Sequence, residues 1–309
     1  MKLKFNPIQL TLFAFVFLTV SFLACNKEDS NEGTPAEEEA ATVASTESES
    51  DADNIFNGLF DDVMGVSDEV GLAGTGVFGK TMEANSDGTT SNARLTVCPD
   101  VTVILLNAPA AFPKKVILDF GATGCTGRDG HLRRGKIINV YTNRLIIPGA
   151  TASTTFDGFY FDNIKVEGTH KITNIAELNS LAKKWKVEVA GAKLTAPDGD
   201  FTEWDRTNTI TQIENLSPIN VRDIVMKVEG SGHGRTKRNG IIVSWGAEIV
   251  EPLIKRFSCR WIVRGKIKIK RANLTADSRW VAVLDYGAGL CDNKALLTVD
   301  GRTKEIILR

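Results

Sequence analysis

The chain holds 309 residues, 42% of them hydrophobic and 24% charged, and its formal net charge is −1. That near-neutral total hides a division: residues 26–53 carry −9, whereas residues 71–309 carry +10. No lysine or arginine cluster in the basic part is dense enough to specify nucleic acid. A solvated β-surface is the expectation there, and nucleic acid is not an expected partner.

The N-terminus reads MKLKFNPIQLTLFAFVFLTVSFLAC. Lys2 and Lys4 precede an apolar run over residues 8–24, the layout of an export signal. The run ends in Leu23-Ala24-Cys25, which resembles the lipobox of bacterial lipoproteins. That resemblance implies a signal peptide over residues 1–24, acylation of Cys25 and attachment to the membrane through the N-terminal lipid. Asn26 is not the aspartate associated with inner-membrane retention, and Lys27-Glu28-Asp29 resembles an acidic surface-export tag. The expected place is the outer membrane, lipid-anchored, at the cell surface or on the periplasmic face.

Residues 25–53 contain almost no large apolar side chain, as in EGTPAEEEAATVASTESESDAD. Such a segment buries too little surface to offset chain entropy, which predicts an acidic disordered tether. In residues 54–70, Ile55, Leu59, Val63 and Val66 recur at helical spacing. A short amphipathic helix is expected, packed on the body because Phe56, Leu59, Phe60 and Met64 need cover.

Residues 71–309 read as an all-β domain. Runs such as 164–173, 183–195, 219–232 and 260–272 alternate apolar with polar residues, the mark of half-buried antiparallel strands. Trp185, Val187 and Val189 fall on one face of such a strand. Turn signals separate the runs at Pro148-Gly149, Pro197-Asp198-Gly199, Asn239-Gly240 and Asp300-Gly301. The pattern predicts an antiparallel meander of about a dozen strands, as a curved sheet or a sandwich. A split near Pro197 into two similar halves is the alternative. The weak helical pattern at 174–185 is expected to bridge two strands.

A phrase occurs twice: VILDFGATGC at 116–125 and VAVLDYGAGLC at 281–291. In each, Asp119 or Asp285 is placed to bond amides of the turn that follows, with Gly121 and Gly287 taking the φ values other residues avoid. Four cysteines remain for an oxidising compartment, allowing three connectivities. Cys98–Cys125 with Cys259–Cys291 is the expected pairing, since both bridges then close loops of similar length beside the repeated phrase.

The segments at 112–142, 160–174, 259–270 and 284–308 resemble an uncharacterised lipoprotein family of the Bacteroidota. The resemblance implies an envelope location and a β-fold, and brings no catalytic residues and no cofactor.

Signals for chemistry are sparse. His131, His170 and His233 lack metal-ligand neighbours at helical or strand spacing, so no metal site is expected. Ser231, His233 and Asp223 lack the strand-turn-helix of a nucleophile elbow. Asp129, Asp198, Asp200 and Asp205 lie in loops or near turns without calcium-loop spacing, and turn formation accounts for them. Paired carboxylates such as Glu203 and Asp205 share a face if their strand is regular, the arrangement a glycan-directed hydrolase would draw on. Trp185, Trp204, Trp245, Trp261 and Trp280 are expected in strands, as core. The sequence thus points to a non-enzymatic binding or structural module that takes a glycan, lipopolysaccharide or envelope protein, with an envelope hydrolase as the alternative.

Overall fold

The computed structural model describes residues 33–67, 75, 77, 89–91, 98–127, 129–216 and 220–308. The segment predicted as a signal peptide, residues 1–24, Cys25 and the end of the segment predicted as a short helix, 68–70, lie outside the described residues.

Among the described residues, fifteen strands form one open antiparallel sheet. They are β1 (Thr89–Ser91), β2 (Asp100–Leu105), β3 (Lys114–Asp119), β4 (Cys125–Thr126) and β5 (Leu132–Tyr141). Next come β6 (Thr151–Phe161), β7 (Ile164–Asn174), β8 (Lys184–Thr195), β9 (Phe201–Glu214) and β10 (Val225–Arg238). Last are β11 (Ile241–Arg256), β12 (Ile262–Arg271), β13 (Ala282–Ala288), β14 (Lys294–Val299) and β15 (Arg302–Ile307). Each strand pairs with the next in sequence, except that β4 lies off the path, paired to β5, while β3 pairs β5 directly. The expected meander is present, as one curved sheet. Pro197-Asp198-Gly199 is the turn between β8 and β9, not a domain boundary, and residues 35–309 form one compact unit.

Strand alternation follows from which face is covered. Trp185, Val187 and Val189 are buried on one face of β8, while Lys186 and Glu188 pair on the other at 2.6 Å. Two of the five tryptophans sit elsewhere than expected: Trp261 directly precedes β12 and Trp280 lies two residues before β13, rather than in strands. Trp280 is nonetheless buried, because the loop before β13 folds onto the core. Residues 175–183 connect β7 to β8 without a helix, and Leu178 there is 81% exposed.

The tether expectation fails over residues 35–53. One α-helix, α1 (Pro35–Met64), runs through that segment and through most of the predicted short helix. It packs on β9, β10, β11, β12 and β13 and is buried along most of its length. The missing large apolar residues are what permit this. Ala44, Ser45, Ser48 and Ala52 are small enough for strands to close on a helix from several sides.

Polarity is satisfied by the sheet. Ser45 and Thr46 hydroxyls bond back to the Thr42 carbonyl at 2.9 and 2.8 Å, and Ser48 donates to Thr236 at 3.0 Å. Glu38 pairs with Arg271, Glu49 with Arg206, Asp51 with Arg238 and Asp61 with Lys255. The acid of the N-terminal segment and the base of the body therefore meet inside the fold. Farther along, Phe56, Leu59, Phe60, Val63 and Met64 join the main hydrophobic core, and the Tyr141 hydroxyl donates to the Val63 carbonyl at 2.8 Å.

The repeated phrase forms the same corner twice. Asp119 Oδ1 accepts from the Gly121 amide at 2.9 Å, and Asp285 Oδ1 from the Gly287 amide at 2.9 Å. Gly121 and Gly287 take φ of 74° and 84°, where glycine is favoured. Each phrase also pairs with a second shared motif, Arg-Gly-Lys-Ile, at 134–137 and 264–267. Asp119 lies opposite Lys136, and Asp285 opposite Lys266. Disulfides join Cys98 to Cys125 and Cys259 to Cys291. They are not equivalent, however. Cys98 leads into β2, the neighbour of β3 away from its motif partner, whereas Cys259 leads into β12, which carries the motif itself.

Candidate functional site: a cleft between helix and sheet

A cavity with a volume of about 280 Å³ lies between the second half of α1 and the sheet. One wall is helical, with Asn54, Ile55, Gly58 and Leu59; opposite stand Ile137 of β5, three phenylalanines of β6 and Phe257 before β12.

Strand β6 needs a special device to supply its three rings. Phe156 and Phe159 are three residues apart, so a regular strand would send them to opposite faces. A β-bulge at Asp157-Gly158 inserts one residue, and register shifts appear against both β5 and β7. Phe156, Phe159 and Phe161 then all line the cleft. The bulge requires glycine on the facing strand. Gly135 has φ of 80°, and a Cβ there would fall 2.0 Å from the Gly158 carbonyl oxygen. Phe156 stacks on Phe159 at 5.6 Å, Phe120 backs Phe159 at 5.6 Å, and Phe56 meets Phe156 edge-on at 6.4 Å. The apolar wall is thus fixed before any ligand arrives.

Charge gathers at the mouth. Asp129 accepts from Arg133 at 2.6 and 2.9 Å and lies 3.2 Å from Arg260, so one carboxylate ties the start of β5 to the loop before β12. Burial works against ionisation of Asp129. The Arg133 hydrogen bonds and charge, the His131 amide and the Arg260 charge more than offset it, holding the carboxyl at about 2. The Arg133 guanidinium also lies 4.9 Å over the Phe161 ring. Asp61 lines the cleft while accepting from Lys255 at 2.8 Å. Inside, the Asn54 side-chain nitrogen is buried and has no partner among the described residues, which leaves a donor for a ligand acceptor.

Next to this cleft, a cavity of about 20 Å³ holds His170, Asp53, Arg206 and Asn208. Glu49 is fully buried and accepts from Arg206 and, at 2.8 Å each, from the indoles of Trp204 and Trp245. Burial raises Asp53 most, with Arg206 and Lys255 opposing and Glu49 reinforcing. His170 is buried, neither ring nitrogen has a hydrogen-bond partner among the described residues, and burial lowers it to about 3. This group locks the helix to the sheet and encloses far less space than the cleft.

The sequence-predicted sites fall apart from the cleft, except at Asp129. Cys98, Cys125, Cys259 and Cys291 are bridged, and Asp119, Gly121, Asp285 and Gly287 build corners. His233 faces Asp205 at 3.6 Å on the outer surface, and Asp223 lies in a short 3-10 turn. Glu203 is spent on Lys193 and Arg235 at 4.0 and 3.7 Å. Among the described residues no group of three His, Cys, Asp or Glu is placed to hold a metal, and no helix is long and apolar enough to cross a membrane. The missed residues are Phe156, Phe159, Phe161, Phe257, Arg133 and Arg260. Their one visible signal is FDGFYF at 156–161, an aromatic run broken by a bulge-forming Asp-Gly.

Fold and site together define a helix-filled, open antiparallel sheet with an internal aromatic cleft. No family model, no curated protein and no solved structure matches the chain.

Proposed function

We propose that the protein is a lipid-anchored module of the outer membrane that binds an amphipathic envelope component in the cleft, without catalysing a reaction. The observation that carries this reading is the pre-formed wall of four phenylalanines beneath an ionic mouth. A volume of about 280 Å³ suits a small molecule or one acyl segment of a larger one. The phenylalanine rings cover the apolar part, Asn54 donates to an acceptor such as a carbonyl, and the polar end meets the Arg133–Asp129–Arg260 bridge. A general acid would need a carboxyl kept protonated near neutrality, whereas Asp129 is held ionised, which favours binding over hydrolysis. Glycan, lipopolysaccharide and envelope protein all present apolar and polar groups together, and the cleft is best suited to the lipid portion of such a component.

Phe156 is half-buried in the cleft wall, so a charge there is expected to abolish binding while leaving the fold intact. Native mass spectrometry of the full chain released from membranes should show a bound amphiphile on the wild type and none on Phe156→Glu, at matched thermal unfolding. An unliganded wild type, or equal loading of both proteins, contradicts the reading.

The anchor follows from the lipobox resemblance at Leu23-Ala24-Cys25. Cys25→Ser is expected to abolish metabolic labelling by fatty acid and leave the protein unprocessed or soluble. Continued labelling of the variant removes Cys25 as the lipid site.

A further inference from the structure

An open hollow of about 420 Å³ is lined by Asp119, Arg134, Lys136 and Asp157 over three glycines. Ile137 and Phe156 face the cleft, so alternation turns Lys136 and Asp157 to the outer face of β5 and β6. Lys136 lies opposite Asp119 on β3 and opposite Asp157 on β6, and its amine meets Asp119 at 2.9 Å. Asp157 is exposed and has no hydrogen bond among the described residues. The Arg134 guanidinium lies 3.6 Å from the ring centroid of Tyr160, its partner across the strands. That guanidinium also makes no hydrogen bond among the described residues, and its Nε is buried. Gly158 leaves bare backbone beside them, since a Cβ there would meet nothing within 4 Å.

The same frame occurs twice in the sheet. The trio β3, β5, β6 recurs as β13, β12, β11, with Lys266 opposite Asp285 and Glu251. There Glu251, one methylene longer than Asp157, meets the lysine at 2.6 Å and leaves Asp285 at 3.7 Å. Pro252 stands in place of Gly158, and Ile254 faces Arg264 in place of Tyr160. That copy satisfies its own charges, whereas the first keeps a carboxylate, a guanidinium and bare backbone unengaged.

We propose that the hollow beside Asp157 and Arg134 binds an uncharged saccharide. Its two carboxylates and two cations cancel, so neither an anion nor a cation is favoured. A hydroxyl both donates and accepts. Neighbouring hydroxyls of one sugar ring can therefore donate to Asp157 and accept from Arg134, each bond strengthened by the protein's charge. A volume of about 420 Å³ is within the range of small-molecule sites. The hollow and the cleft lie on opposite faces of the sheet, so this site does not rest on the amphiphile reading.

Binding of the full chain to an array of neutral, acidic and amino glycans tests this, in a polyoxyethylene detergent that carries no sugar. The glycans bear no acyl chain, so the cleft does not contribute. Binding to neutral glycans is expected. Asp157→Ala and Asp157→Glu should each weaken it by more than roughly tenfold, the second because a glutamate closes on Lys136 as Glu251 closes on Lys266. Glu251→Ala, in the closed copy, should bind as wild type does. Asp157 and Glu251 are exposed, so all three variants should match wild type in thermal unfolding. No binding to any neutral glycan, stronger binding to acidic or amino glycans, or undiminished binding by either Asp157 variant overturns the proposal.

Discussion

Glu49→Ala is expected to destabilise the protein by about 3–5 kcal/mol, because it takes the hydrogen-bonded carboxylate away from a buried cation. Arg206 has a side-chain exposure of 1% and depends on Glu49, with Asp53 farther away at 3.6 Å. The same substitution leaves the buried indoles of Trp204 and Trp245 without their acceptor. Glu49→Gln keeps an acceptor oxygen and should lose less. Urea unfolding followed by tryptophan fluorescence gives both values. A loss below about 1 kcal/mol for Glu49→Ala would mean that the helix is not seated in the sheet. By the same reasoning, deleting residues 26–53 removes Glu38 and Glu49 and should unfold the domain.

His170 should make the fold acid-labile. Its imidazole titrates near 6.5 in the unfolded chain but at about 3 in the native state. Between these values the unfolded state binds a proton that the native state does not, so stability falls as pH falls from about 6.5 towards 3. The loss at the lower end is about 4–5 kcal/mol. Asp53 acts in the opposite sense: its raised value lets the native state take up a proton first on acidification. His170→Leu should remove most of the acid slope and be at least as stable as wild type at pH 7, because two buried ring nitrogens without partners cost about 1–3 kcal/mol. Thermal unfolding of both proteins from pH 7 to pH 4 checks this. An unchanged slope would place the acid sensitivity elsewhere.

The sheet was legible because its inner face is apolar and its outer face charged, so alternation in β7, β8, β10 and β12 shows at single-residue level. The corners were legible because Asp119-Phe120-Gly121 and Asp285-Tyr286-Gly287 carry their turn chemistry locally. The helix was not. Glu38, Thr42, Ser45, Glu49, Asp53, Phe56 and Phe60 follow a helical period, but the first five are polar, and a hydrophobic pattern detects only the end of the stripe. A usable clue lay in charge, since a −9 segment and a +10 body in one chain are complementary. The cleft was hidden for a different reason. Its rings come from one bulged strand and a distant loop, and the bulge breaks the alternation that would have placed Phe156 and Phe159 on one face.

An amphiphile seated in the aromatic cleft would be labelled in place by photo-crosslinking, using a diazirine-bearing acyl probe on membranes containing the full chain, with the modified peptides mapped by mass spectrometry. Modification should concentrate on the peptides around Phe156–Phe161 and Phe257–Arg260 and be suppressed in Phe156→Glu. Modification confined to the exposed loop around Leu178 and Leu181, with the cleft peptides unlabelled, would contradict it.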